Sequence, residues 1–84
     1  MSYEKVTQAS GVVVGTKQTI KALRAGEIKE LVVADDADGH ILDEVLALAQ
    51  QNNVPVCRVD SMDKLGKACG IDVGASAVAI KLNG

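Results

Sequence analysis

The sequence predicts an α/β fold, a three-layer α-β-α sandwich with a central four-stranded mixed sheet. Short apolar runs alternate with amphipathic segments along the 84-residue chain. Strands that alternate with helices in this way require a sheet that helices cover on both faces. Turn-forming residues separate the segments at short intervals, so we expect a single domain over residues 1–84. Each helix can bury its apolar face on that sheet, and we therefore expect a monomer.

The first half of the chain predicts two helices and two strands in alternation. Thr16 is a plausible N-cap for the second helix, and Gly26 fits the left-handed residue that follows a helix. Ile20 and Leu23 supply the apolar stripe of that helix. The expected elements are a helix over Tyr3–Ala9, a buried strand over Gly11–Val14, a helix from Thr16 to about Ala25 and a buried strand over Leu31–Ala34.

The second half predicts the same alternation. Pro55 lacks a backbone N–H, so its strand must begin near it or lie at an edge of the sheet. Ser61 is expected to cap the helix that follows, and Gly70 lies just past the end of that helix. The expected elements are an acidic loop over Asp35–Gly39, a helix over Ile41–Gln51, a strand over Val54–Val59, a helix over Met62–Cys69, a loop over Ile71–Ser76 and a strand over Ala77–Leu82.

Composition excludes several modes of nucleic-acid binding. Phe and Trp are absent and Tyr3 is the only aromatic residue, so exposed rings cannot provide stacking platforms for bases. A formal net charge of −2 argues against a protein that coats nucleic acid indiscriminately. A nucleic-acid binder of this composition must read shape and base edges instead.

Cysteine usage and the start of the chain are typical of a cytoplasmic protein. Cys57 and Cys69 lie in different predicted elements, without a C-x-x-C motif or a neighbouring histidine, so neither a redox pair nor a zinc site is indicated. We expect two reduced, mostly buried thiols. The N-terminal residues lack the cationic stretch and apolar run of a signal peptide, and no segment approaches membrane-spanning length. No membrane partner is therefore expected.

A glycine turn that leads into a helix is the most informative feature of the sequence. The first N–H groups of a helix lack partners and carry partial positive charge, which favours phosphate or an electron-rich base edge. At about 100° per residue, Lys17, Lys21 and Arg24 form a basic ridge beside the apolar stripe. An ordinary solvated helix face has the same composition, so both interpretations stay open.

Motifs for catalysis or metal binding are not indicated. The junction at Gly15 matches neither G-x-x-x-x-G-K-[ST] nor G-x-G-x-x-G. Aligning Gly39 with the glycine of a calcium loop puts Ala34 and Val45 at ligand positions, so the acidic loop is interpreted as a turn of helix-capping residues. His40 has no spaced nucleophile or carboxylate to support it and is expected at the surface. We therefore expect no enzyme and no cofactor.

The loop before the last strand is a second candidate site. Ile71 and Val73 lie among small residues there, where apolar side chains are either tucked inward or offered to a partner.

Together these stretches resemble the kink-turn-binding ribosomal protein family, the L7Ae and L30e group, and especially its short bacterial members. The resemblance covers nearly the whole chain. It rests on G-T-x-x-x-x-K from Gly15 to Lys21, on the run Leu31–Asp36, on Val54-Pro55-Val56, and on Leu65–Ala68 through Val78–Ile80.

The resemblance implies an RNA site made by the start of the second helix and the loop before the last strand. In that family, the helix start enters a widened major groove beside tandem sheared G·A pairs, and the apolar loop covers bases extruded at the bend. Kink-turn-binding relatives carry Asn and Glu where this chain has Lys17 and Gln18. The implied contact residues are Gly15, Thr16, Lys17, Gln18, Lys21, Lys67, Ile71 and Val73.

The function that follows is non-catalytic recognition of a kink-turn in structured RNA, with stabilisation of the bent form. The implied partners are such an RNA and a ribosome or another ribonucleoprotein, and no DNA partner is expected. A protein-interaction or ribosome-docking module of the same fold, without kink-turn specificity, is the alternative.

Overall fold

The computed structural model describes residues 2–8 and 11–82 and confirms the predicted α/β fold. The expected end of the first helix, Ala9, lies outside the described residues. The helices are α1 (Ser2–Gln8), α2 (Thr16–Arg24), α3 (Gly39–Gln51) and α4 (Met62–Ala68), and the strands are β1 (Val12–Val14), β2 (Ile28–Ala34), β3 (Val56–Val59) and β4 (Ala77–Lys81).

The last strand, β4, lies inside the sheet, whose order is β1-β4-β2-β3. It pairs antiparallel with both β1 and β2, whereas β2 and β3 are parallel, so the predicted mixed sheet is confirmed. β1, β2 and β3 therefore run in the same direction and end at one edge, where β4 begins. We call this the carboxyl edge, and it is marked by Val14, Ala34, Val59 and Ala77.

Two apolar cores lie on the two faces of the sheet, as a three-layer sandwich requires. Leu31 and Val33 pack with α2 and α3 on one face, whereas Val32 and Ala34 pack with α1 and α4 on the other. This alternation follows from the two-residue period of a strand. Leu23 of α2 and Leu65 of α4 are fully buried, and each contributes about 1.5–3 kcal/mol through burial of its side chain. The two cores fix the helices against the sheet.

Several element boundaries differ from the expected ones. Thr16 is the first residue of α2, and Gly15 occupies the N-cap position, so the predicted N-cap was wrong. α3 begins at Gly39 because the Asp38 carboxylate accepts a hydrogen bond from the His40 N–H at 2.8 Å, which starts the helix two residues early. Ser61 caps α4 as expected, its Oγ accepting from the N–H of Lys64 at 3.3 Å.

The strands also depart from the predicted bounds. β2 begins at Ile28, three residues before the expected start, because Ile28 pairs with Lys81 across an irregularity in the ladder. β3 begins at Val56, just after Pro55, and lies at the edge of the sheet. β1 was expected to be buried, but all three of its residues are half-buried because it is the other edge strand.

The first helix is tied to the sheet by polar contacts as well as by packing. The Lys5 ammonium and the Cys57 thiol both donate to the Glu30 carboxylate, at 2.8 and 2.7 Å. The Tyr3 hydroxyl donates to the carboxylate of Asp60 at the end of β3. Cys57 and Cys69 are free thiols as expected, but both are half-buried rather than mostly buried. For Cys57, the reason is its place on an edge strand.

We predict that Glu30→Gln removes part of the acid sensitivity of the fold. Hydrogen bonds from Cys57 and then Lys5 hold the pKa of the Glu30 carboxyl below its usual 4.5. A lowered pKa in the folded state stabilises the protein above the unfolded pKa, and this stabilisation is lost as pH falls through the lowered value. Urea unfolding at pH 7 and at pH 3 should therefore differ less for Glu30→Gln than for the wild type. Glu44→Gln, at an exposed position of α3, is the control and should keep the wild-type difference.

Candidate functional site

Three helices begin at the carboxyl edge, because α2, α3 and α4 each follow a strand that ends there. Side chains cap two of them. Asp38 caps α3, and Ser61 caps α4 while Asp36 accepts from the Met62 N–H at 2.8 Å. In the described part of the chain, no side chain caps α2. The first N–H groups of α2 therefore lack a side-chain acceptor there and are available to an acceptor from outside.

Gly15 sets the position of this uncapped helix start. Its φ of 97° lies in the region that favours glycine, and it lets the chain turn directly from β1 into α2. The Gly15 N–H donates to the Ala77 carbonyl at 3.1 Å, and the Gly15 carbonyl accepts from the Thr19 N–H at 3.0 Å. The start of α2 is thus held against the start of β4.

The predicted contact residues of α2 face outward. Lys17, Gln18 and Lys21 are exposed, and Thr16 is half-buried at the turn. Arg24 is exposed as well, so the basic ridge expected from the sequence is present on the surface. The inward side of α2 differs from the expected one, because Thr19 and Ala22 are buried with Leu23, whereas Ile20 is half-buried. A period of 3.6 residues brings all three inward while the lysines stay outside.

The loop over residues 71–76 is docked onto α4. The Ile71 N–H donates to the Gly66 carbonyl at 3.1 Å, and the Ala75 N–H donates to the Met62 carbonyl at 3.0 Å. Gly66 is needed because a Cβ at this position would lie 2.0 Å from the Val73 carbonyl oxygen. Ala75 is 2% exposed and belongs to the core. The loop therefore has a defined position beside the carboxyl edge.

The two apolar residues of this loop behave differently. Val73 is 69% exposed, whereas Ile71 is half-buried. The sequence left two interpretations open, and each holds for one residue. The Val73 side chain is exposed and accessible to a partner, whereas the Ile71 side chain is partly buried.

Two segments that carry most of the predicted contact residues meet at the carboxyl edge. The start of α2 and the end of the loop meet there, since Gly15 bonds to Ala77 and the Ser76 carbonyl accepts from the Ala34 N–H at 3.0 Å. Lys21 lies one turn further along α2. Lys67 is exposed on α4, which packs on the other face of the sheet, and it adjoins the site only through its neighbour Gly66.

Comparison with known proteins settles the family. Residues 2–84 match the family described as Ribosomal protein L7Ae/L30e/S12e/Gadd45 family. The chain belongs to this family.

Individual members are close in sequence or in fold. The chain is 64% identical over 80 residues to RNA-binding protein YbxF of Geobacillus stearothermophilus, which covers 95% of this chain and 98% of that protein. It is 39% identical over 82 residues to an RNA-binding protein of Staphylococcus aureus strain JH9, with 95% and 98% covered. A 15.5kD RNA binding protein of Giardia lamblia superposes with a TM-score of 0.81 at 23% identity, covering 94% of this chain and 67% of that one. The last comparison shows the shared L7Ae-family fold.

One exposed apolar residue of this family member, Ile41, was not among the residues predicted for the site. Ile41 is 39% exposed in the first turn of α3, which starts at the carboxyl edge and packs on the same face of the sheet as α2. The capping sequence Asp38-Gly39-His40 is the signal that could have placed Ile41 near the site, because a helix that starts at Gly39 keeps Ile41 in its first turn.

Three aspartates that follow β2 in this family member have structural partners. Asp35 accepts from Arg58 at 2.9 Å, and Asp36 and Asp38 accept from the backbone N–H groups of α4 and α3. Their carboxylates therefore stabilise two helix starts and form one ion pair with an arginine. Across residues 2–8 and 11–82, no three His, Cys, Asp or Glu side chains are grouped to hold a metal ion, and no helix is long and apolar enough to cross a membrane.

We predict that Gly66→Ala displaces the loop over residues 71–76. The new methyl group would meet backbone atoms of Val73, which cannot rotate away, so either the loop or α4 must shift. Overpacking of this kind lowers the free energy of unfolding by about 1–3 kcal/mol. Urea unfolding measures the loss, and amide chemical shifts of residues 71–76 report the displacement. Gly39→Ala is the control, since its Cβ would meet nothing within 4 Å, and it should leave stability unchanged or slightly raised.

We predict that Val73→Asp leaves the fold intact. The side chain is 69% exposed, and substitutions at such positions change stability by about 0.5 kcal/mol or less. Thermal unfolding of the variant should match the wild type. A loss as large as that of Gly66→Ala would mean that Val73 packs inward, and would remove it from the candidate site.

Proposed function

We propose that this chain binds structured RNA at kink-turns and stabilises their bent form. The observation that carries the proposal is the uncapped start of α2, with exposed Lys17 and Gln18, which a hydrogen bond from Gly15 to Ala77 holds beside the strand that follows the loop of the exposed Val73. The names of sequence relatives as RNA-binding proteins support the general class of ligand. The kink-turn is the more specific part of the proposal.

The geometry of RNA explains why a bent helix suits such a site. Regular A-form RNA hides its base edges in a deep, narrow major groove that side chains cannot enter. A kink with non-Watson–Crick pairs widens this groove, so that the end of a protein helix can reach the bases. The uncapped start of α2, with its free N–H groups and partial positive charge, has the chemistry for this position.

The side chains of α2 supply distinct kinds of contact. Lys17 can donate to guanine O6 or N7, and Gln18 offers both a carbonyl acceptor and an amide donor. A sheared G·A pair exposes these guanine atoms to the groove. Lys21, one turn further along the helix, is suited to a phosphate, because an ammonium group acts as a point charge without reading sequence.

The loop contributes an apolar surface beside this polar one. A base that leaves the stack at a kink has an exposed flat face, and Val73 offers a side chain that such a base can cover. Ile71 lies in the same loop and is half-buried, so it presents less apolar surface than Val73 does. Lys67 is exposed on α4 and adds a positive charge next to Gly66, which contacts the loop.

The proposed action is binding without catalysis. The protein would favour the bent RNA only by the difference between its affinities for the bent and the extended forms. We propose that residues 1–84 form one RNA-binding unit that acts in the cytoplasm without a cofactor. A kink-turn in ribosomal RNA or in another ribonucleoprotein is the proposed partner.

The test compares two RNAs that differ only in the tandem G·A pairs, which one of them replaces with Watson–Crick pairs. We predict that wild-type protein prefers the G·A form and that Lys17→Ala/Gln18→Ala loses much of this preference. A well-placed base contact contributes about 1–3 kcal/mol of discrimination, or roughly 5- to 150-fold in affinity. Titration of both RNAs at one fixed salt concentration measures the ratio.

Arg24→Ala is the matched control for that titration. Arg24 is exposed on the same ridge but lies about 10 Å along the helix from Lys17, at 1.5 Å per residue. This variant should keep the wild-type preference between the two RNAs even if its affinity for both falls. Equal binding of the two RNAs by wild-type protein would contradict kink-turn recognition and favour a docking module of the same fold.

A further inference from the structure

A groove runs along α2 beside the edge strand β1. It has a volume of about 260 Å³ and shares Gln18 and Lys21 with the candidate site. Val13 of β1 lies in its wall, and Glu27 and Lys81 line it as well. A neighbouring hollow of about 270 Å³ shares Glu27 and Lys81 and continues to Gly26 and Leu82. The two hollows therefore adjoin each other at Glu27 and Lys81, on the way from the site towards the opposite edge of the sheet.

The strand register explains why Lys81 lines this groove. Ala79 of β4 contributes to the core on the α2 face, and Lys81 lies two residues later, so it is on the same face. Its backbone is fixed at both sides, since its N–H donates to Gly11 at 3.0 Å and it pairs with Ile28 of β2. The Lys81 side chain is exposed. The sheet therefore fixes the backbone position from which the Lys81 side chain lines the groove.

The charges that line the groove are two lysines and one glutamate. Within residues 2–8 and 11–82, neither Lys21 nor Lys81 forms a salt bridge, and Glu27 forms none with either of them. Glu27 is fixed through its backbone, because its N–H donates to the Ala22 carbonyl and its carbonyl accepts from Leu82. The groove therefore has an excess of positive charge, with both ammonium groups free to meet an anion.

We propose that this groove binds the phosphate backbone of the RNA stem that adjoins the kink, with Lys81 as a phosphate contact beyond the start of α2. The proposal rests on the function proposed above. Two observations carry it: the groove is continuous with the site through Gln18 and Lys21, and its charge is complementary to phosphate. A lysine contacts phosphate as a point charge, so this interaction is independent of base sequence.

The distance along the helix gives the proposal a geometric consequence. The nine residues of α2 span about 13 Å at 1.5 Å per residue. Lys81 lines the groove together with Ala25, so it lies near the end of α2 that is far from the candidate site. An RNA whose stem stops directly after the G·A pairs should not reach Lys81. An RNA whose stem is longer by about one helical turn should do so.

The experiment measures the affinity of two such kink-turn RNAs, short-stem and long-stem, over a series of salt concentrations. For the long-stem RNA, Lys81→Gln should weaken binding and reduce the slope of log K against log salt by about one, because one phosphate contact is lost. For the short-stem RNA, the same variant should behave like the wild type. Glu27→Gln should strengthen binding of the long-stem RNA, because it removes the negative charge of the groove.

Lys29→Gln is the matched control. Lys29 is an exposed lysine at the start of β2, near the same end of the sheet, and it does not line the groove. Removal of its charge should leave the slope unchanged. If Lys81→Gln and Lys29→Gln give the same slope with the long-stem RNA, the groove proposal is overturned while kink-turn recognition stands. If wild-type protein binds kinked and continuous duplex RNA equally, the proposed function fails, and the groove proposal fails with it.

Discussion

The antiparallel pairing of β4 with both β1 and β2 is the constraint on which the rest of the structure depends. Because β4 is the last strand along the chain but lies inside the sheet, its first residues are brought to the edge where the other three strands end. The hydrogen bond between Gly15 and Ala77 joins the start of α2 to the segment that follows the 71–76 loop. Two regions about sixty residues apart thus form one surface through a single long-range pairing.

Much of the fold follows from the sequence, because strand and helix periods are local properties. The alternation of Leu31, Val32, Val33 and Ala34 between two cores is an example. The boundaries that failed have different causes: the early start of α3 depends on the local cap by Asp38, whereas the early start of β2 depends on a distant residue. β2 begins at Ile28 only because Lys81 is there to pair with it across an irregular step, which a short apolar run cannot reveal.

The sequence predicts which kinds of side chain make up the candidate site, but not how those side chains are placed. The sequence indicates that Lys17 and Gln18 follow a glycine turn, and their exposure agrees with this. It cannot indicate that Gly15, rather than Thr16, holds the N-cap position, because that depends on the φ the turn imposes. It also cannot separate Val73 from Ile71. Their exposure depends on how the loop docks onto α4, where Gly66 lies close to the Val73 carbonyl, and this contact joins two elements through space.

The carboxyl edge carries charges of both signs, because aspartates follow β2 and β3 there while exposed lysines lie on α2. The formal net charge is −2, and three of these aspartates accept hydrogen bonds from the start of α3, the start of α4 and Arg58. Carboxylates that cap helices stabilise the fold and satisfy N–H groups at the same time. In the described residues, 2–8 and 11–82, the two lysines of α2 form no salt bridge. The uncapped start of α2, with its partial positive charge, is therefore the helix start at this edge that remains available to an anion.

The two edge strands are short, with three residues in β1 and four in β3. An exposed strand edge is a template for pairing with another chain, and a brief edge offers few free N–H and C=O groups for it. Pro55, which lacks an N–H, shortens one edge further, and Gly15 ends the other. Self-association through strand addition is thus resisted by the length of the edges rather than by electrostatic repulsion, which is weak at a net charge of −2.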